Sequence, residues 1–150
     1  MQQFLELAAL VTPAIRRGEE IRDSSADHFL PPVAELLQPV VRHGDDQWYD
    51  IVNWTVMALI QAEEFGITSK NVDEMFKSKD PEIQRFLGVT PGLGKALGLD
   101  ENWAYNIVKQ VGNYGQIYEA NVGVNTSLGI PRGLNDQWYK GGLMFAAPFR

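Results

Sequence analysis

The sequence predicts a mainly α domain with one or two short strands, and three observations lead there. Apolar residues recur at three-and-four spacing along several segments, the period of a helix buried on one side. Asp stands repeatedly just ahead of those segments, where its carboxylate would cap the free amides of a helix start. The extended pieces, around residues 28–30 and 39–43, are short and bounded by prolines, which withdraw a donor from any ladder.

Taken in order, residues 2–10 read as a first helix through Phe4, Leu7 and Ala8, interrupted at Pro13. Residues 16–27 are polar and read as a loop or a second, frayed helix. Val40-Val41 has the strongest strand character. Gly44-Asp45-Asp46 then opens a long helix to about Phe65, with one Asp as N-cap and a second carboxylate at the positive end of the dipole. Trp48, Ile51, Val52, Trp54, Val56, Leu59 and Ile60 wrap so far round this helix that it requires neighbours on at least two sides.

Shorter helices follow. Thr68 or Ser69 is the expected cap of one carrying Val72, Met75 and Phe76. Asp80-Pro81 is the preferred N-cap and first-position pair for another carrying Ile83, Phe86 and Leu87 as far as Gly88. Asp100 is placed as cap of a helix with the stripe Trp103, Ile107 and Val111, stopped at Gly112. Ile117, Tyr118 and Val122 form a further helical turn set. A last short helix is expected over residues 134–140, ending at Gly141-Gly142, with an extended tail to Arg150.

Composition removes several function classes. The chain has 150 residues, 45% of them hydrophobic and 21% charged, which suits a folded globular domain. A formal net charge of −6 argues against a nucleic-acid surface, which needs clustered Lys and Arg. With no cysteine there is no disulfide, thiolate metal site or Cys nucleophile. Residues 4–11 carry Glu6 with no basic residue ahead, so they do not read as a signal peptide. No stretch approaches the length of apolar sequence that spans a bilayer, and membrane insertion is not expected.

Candidate chemistry is sparse. Gly88 to Ala96 looks like a phosphate loop, but Val89 stands where the leading glycine belongs and Ala96 where the hydroxyl belongs, so a plain inter-helix loop is the better reading. His28 and His43 are isolated and suggest neither a metal site nor a triad. Ser24, Ser25 and Ser127 have no nucleophile-elbow context. Glu63-Glu64, with Asp50 earlier on the same helix, resembles the paired carboxylates of a small hydrolase, although a solvated helix end explains them more simply. Trp48, Trp54, Trp103 and Trp138 are read as core. No catalytic residue, metal or cofactor is expected, and no ligand-binding residue is assigned.

Longer strings carry a more specific signal. Pro39-Val40-Val41-Arg42-His43-Gly44-Asp45-Asp46-Gln47-Trp48-Tyr49-Asp50 and Ala62-Glu63-Glu64-Phe65-Gly66-Ile67-Thr68 occur in this order. They are followed by Leu97-Gly98-Leu99-Asp100, by Trp103-Ala104-Tyr105-Asn106-Ile107-Val108-Lys109-Gln110-Val111-Gly112-Asn113-Tyr114-Gly115, and by the closing Arg132-Gly133-Leu134-Asn135 through Lys140-Gly141-Gly142 and Pro148. Together they resemble the carboxy-terminal part of general L-amino-acid-binding periplasmic proteins of ABC transporters, over residues 27–150, with residues 1–26 outside the resemblance.

That resemblance implies a segment of a two-lobed α/β receptor, the type II periplasmic-binding-protein fold, which closes on an L-amino acid and delivers it to a permease without chemistry. It implies a periplasmic location, whereas the chain as written, with no signal peptide, would stay in the cytoplasm. In such receptors an Arg of the first lobe and an acidic residue of the second hold the two ends of the ligand. Neither role is assigned here, and Arg42 is not given the first. A part of this kind is not expected to bind ligand alone. The alternative is a helical interaction module that pairs with a complementing chain, such as an amino-terminal lobe.

Overall fold

The computed structural model of the chain describes residues 41–149. The expected first helix, the extended piece at residues 28–30, Val40, the boundary at residue 26, His28 and the Ser24-Ser25 pair all lie outside that range. Six α-helices and two 3₁₀ turns follow one another among the described residues: α1 (Asp46–Glu64), α2 (Val72–Met75), α3 (Pro81–Phe86), α4 (Leu93–Ala96), α5 (Trp103–Val111), α6 (Tyr114–Asn121), then Gly133–Asn135 and Trp138–Lys140. Mainly α is therefore right. Among these residues there is no strand, and Val41 to His43 are not in one; extended pairing is limited to one isolated bridge between Gln137 and Met144.

α1 begins and ends for the reasons its sequence gives. The Asp45 carboxylate accepts from the Trp48 amide at 3.0 Å, and Asp46 occupies the first turn. Past the last turn Gly66 takes φ 66°, and the Ile67 amide turns back to the Ala62 carbonyl at 2.7 Å. Ala58 and Ala62 are fully buried, and α1 packs against both α5 and α6. The two-sided demand of this helix is thus met largely from within the chain. Trp48, Ile51, Trp54, Val56 and Leu59 are all partly buried.

The described core collects Ile67, Val72, Ile83, Phe86, Leu87, Trp103, Ala104 and Val108 around Ala58 and Ala62. Its aromatic end is organised by Phe149, whose ring lies 5.2 Å from Trp54 and 5.4 Å from Phe86, both edge-on. The carboxy-terminal tail is therefore part of the core.

Several starts and stripes differ from the sequence reading. α2 takes Asn71 as its N-cap residue, not Thr68 or Ser69, because the Asn71 side chain faces backwards and accepts from the Thr68 amide. α5 starts after Asn102, and Asp100 contributes its backbone carbonyl to the Trp103 amide at 3.1 Å. The buried face of α5 is Trp103, Ala104 and Val108, in the same core as Ala58 and Ala62 of α1, and Val111 falls outside that face and is exposed. Asp80-Pro81 behaves as expected, with Asp80 accepting from the Glu82 amide at 2.9 Å. Gly112 ends α5 at φ 84°. The helix expected over residues 134–140 is instead two 3₁₀ turns separated by extended Asp136 and Gln137, since the Gln137 side chain is buried and reaches the Ile60 carbonyl of α1 at 3.4 Å.

Candidate functional site

The most heavily built polar cluster joins α1, α6 and the segment after it. Glu63 stands in the last turn of α1, and the Arg132 guanidinium donates to both its oxygens at 2.9 and 3.1 Å. Their side chains are only 10% and 14% exposed. Arg132 also donates from Nε and Nη2 to the Asn135 carbonyl, and its plane lies 5.3 Å from both the Tyr114 and Tyr118 rings. Burial opposes the guanidinium charge most strongly, but the Glu63 hydrogen bonds together with the nearby charges of Glu63 and Asp136 hold Arg132 above its ordinary value. Burial pushes the Tyr114 hydroxyl up as well. Gly115 gives the pair its room: a Cβ there would sit 2.7 Å from Nη1 of Arg132.

Chemically this is a closed clasp. The donors of Arg132 are spent on Glu63 and Asn135, with Asp136 at 3.7 Å, so the cluster fastens three parts of the chain and offers little to an added ligand. The solvated-helix-end reading of Glu63 is corrected accordingly. Its partner is 69 residues away, and nothing in the helix pattern announces it. Glu64 is engaged too, accepting from Gln61 at 3.0 Å and from the Ala146 amide at 3.3 Å.

The glycine loop shows why its amides looked like an anion cradle. The amides of Gly92, Gly94 and Lys95 converge on the Glu101 carboxylate at 2.8, 3.1 and 3.3 Å. The chain fills the nest with its own carboxylate, and hydrogen bonds from Gly92 first, then Gly94 and Lys95, hold Glu101 below its ordinary range. A similar clip fastens α2 to α5: Asp73 accepts from Tyr105 at 2.7 Å and pairs with Lys109, whose hydrogen bond lowers the Asp73 carboxyl.

The remaining residues singled out from the sequence do not converge. His43, Arg42, Asp50 and Ser127 are exposed, and among the described residues no three His, Cys, Asp or Glu side chains come together as metal ligands do. Trp103 is core, while Trp48 and Trp54 are partly buried. Trp138 corrects the core reading: it is 57% exposed, with Tyr139 edge-on at 5.9 Å. A shallow groove of about 590 Å³ lies between the end of α1, α3 and the tail, with Phe65, Phe86 and Phe149 in its wall and Glu82 and Arg85 along it. No described helix is long and apolar enough to cross a membrane.

The described residues thus form a helical unit clasped by ion pairs and by carboxylates bound to backbone amides. Comparison goes further: over its matched residues the chain is similar to the carboxy-terminal part of periplasmic amino-acid-binding proteins of ABC transporters. It is 57% identical over 118 residues to the general L-amino acid-binding periplasmic protein AapJ of Rhizobium johnstonii, a match covering 77% of this chain and 35% of that protein. It is 53% identical over 117 residues to the glutamate/glutamine/aspartate/asparagine-binding protein BztA of Rhodobacter capsulatus, again 35% of that protein's length. A solved ABC transporter periplasmic binding protein from Brucella ovis with glutathione bound superposes with a TM-score of 0.71 at 53% identity, over 73% of this chain and 35% of that one. The chain thus spans about a third of the length of these relatives. No protein-family profile matches it.

Proposed function

We propose that this chain provides the carboxy-terminal segment of an amino-acid receptor that delivers its ligand to an ABC permease, without catalysing any reaction. The single observation that carries the reading is ordered identity above 50% over 117–118 residues, joined to a superposition with a binding protein of that class. The names of the relatives point to L-amino acids, with glutamate, glutamine, aspartate and asparagine the first to try, and to work in the periplasm. The polar clusters agree with the reading: they hold the fold, and ligand capture falls to groups supplied by the rest of a receptor. A zwitterion stripped of water needs both its charges paired, which requires both walls of a cleft.

Calorimetric titration of the 150-residue chain with an amino-acid panel tests this. Weak or absent binding by the chain alone is expected. Binding should be present when its matched residues replace the corresponding third of the Rhizobium receptor. Micromolar affinity in the chain alone, or a folded chimera that takes up no amino acid, would overturn the reading. A second reading, a helical module pairing with a complementing chain, draws on the exposed aromatic residues near the carboxy-terminus and differs in needing no ligand.

A further inference from the structure

Five large apolar side chains are exposed within one short stretch: Leu134, Trp138, Tyr139, Leu143 and Phe145. Elsewhere among the described residues exposed large apolar side chains are sparser along the sequence, at Tyr49, Val89, Val111, Val124 and Leu128, which is ordinary for any surface. The stretch is also tied together by its own backbone hydrogen bonds. The Leu143 amide donates to the Leu134 carbonyl at 2.8 Å, the Trp138 amide to Met144 at 3.0 Å and the Gly142 amide to Gln137 at 3.1 Å. Gln137 is buried beneath it, and Arg132 grips the Asn135 carbonyl at its base. Gly142 permits the tight fold, since a Cβ there would lie 1.9 Å from the Asp136 carbonyl oxygen. Aromatic residues held in a fixed arrangement lose little freedom on being covered, which is the composition and the pre-organisation of an interface centre.

The occupant follows from length. Sequence and fold both match one third of a receptor chain, so in that fold about two thirds of the polypeptide lies beyond the matched region and must pack against it somewhere. α1 already has its sides on α5 and α6, and the aromatic end of the core is closed by Phe149. Among the described residues the stretch from Leu134 to Phe145 holds the densest group of exposed large apolar side chains. We infer that Trp138, Tyr139 and Phe145, flanked by Leu134 and Leu143, form the docking surface for the remaining receptor chain, joined in one polypeptide or supplied by another. The inference rests on the receptor reading above and adds to it a place of contact.

Because the chain has no cysteine, single thiols report on this face directly. Trp138→Cys, Tyr139→Cys and Phe145→Cys would be made in the 150-residue chain and in the Rhizobium chimera, with Val124→Cys as control, and alkylation followed by peptide mass spectrometry. All are exposed positions, so the fold should tolerate them. The docking surface predicts alkylation slowed by roughly tenfold or more in the chimera at the three test sites and unchanged at residue 124. Equal rates in both proteins would overturn it, even in a chimera that binds glutamate and so upholds the receptor reading. A chimera that folds, protects the thiols and binds no amino acid would uphold the surface and defeat the receptor reading instead. Light scattering showing that the chain alone dimerises, with the same thiols protected by the dimer, would assign the face to a second copy and overturn the inference. Should the chimera not fold, hydrogen exchange of the unmodified Rhizobium receptor decides: its segment matching residues 134–145 must exchange more slowly than in this chain, and equal exchange would defeat the proposal.

Discussion

The Glu63 carboxylate and the Arg132 guanidinium meet in a two-pronged pair at 2.9 and 3.1 Å across 69 residues of chain. This contact ties the end of α1 to the carboxy-terminal turns, and it is nearly out of solvent. Removing one member leaves the other charged and unpaired. Glu63→Gln or Arg132→Met should each destabilise the chain by about 3 kcal/mol in chemical denaturation. The double variant Glu63→Leu with Arg132→Met should recover much of the loss, and additive losses would show that the pair is not a unit. Arg132→Lys should rescue little, because an ammonium cannot form the fork or spread over two neighbouring tyrosine rings.

Gly115 supplies a reciprocal test. Alanine is the better helix former by about 1 kcal/mol. Here, however, its Cβ would stand 2.7 Å from Arg132 and 2.8 Å from Glu63. Gly115→Ala should therefore destabilise the native chain yet become neutral or stabilising when Glu63→Ala and Arg132→Ala together have emptied the space. Thermal unfolding of the four proteins of that cycle reads the change of sign.

The Glu101 nest predicts a pH dependence. Hydrogen bonds from the Gly92, Gly94 and Lys95 amides favour the ionised carboxylate and set it below its ordinary 4.5 in the folded chain. A lowered folded value means a contribution fully present above the unfolded value and lost as pH falls through the folded one. The stability difference between wild type and Glu101→Gln should be largest near neutrality and should shrink below about pH 4.5. Denaturation midpoints measured from pH 7 to pH 3 give the comparison; a constant difference would mean that the nest does not depend on the charge.

Phe149 lies 5.2 Å from Trp54 and 6.4 Å from Trp103, so the tail reports through fluorescence. Phe149→Ala should cost about 2 kcal/mol, below the range for a fully buried Phe because this ring is partly exposed. It should also move tryptophan emission to the red by admitting water to both indoles. Unchanged emission would show that the tail does not close the core.

What the sequence determined by itself was the local order: a mainly α chain, the Asp45 start of α1 and its end near Phe65, the Asp80-Pro81 cap and the Gly112 break. Each of these depends on dihedral preference and on hydrogen bonds between residues a few positions apart, and so can be read along the chain. The ordered strings marking the receptor family were legible for a different reason, since they preserve many residues at once in register. Tertiary structure decided what depends on partners far apart in sequence. The burial of Glu63 required Arg132, and which face of α5 is covered, leaving Val111 exposed, was set by the packing of α5 on α1. The split of the last helix into two 3₁₀ turns required Gln137 beneath Ile60. Trp138 reads like core because a large aromatic residue in an apolar pattern is usually buried; whether it is covered depends on which surface the rest of the fold brings to it, and no local period encodes that.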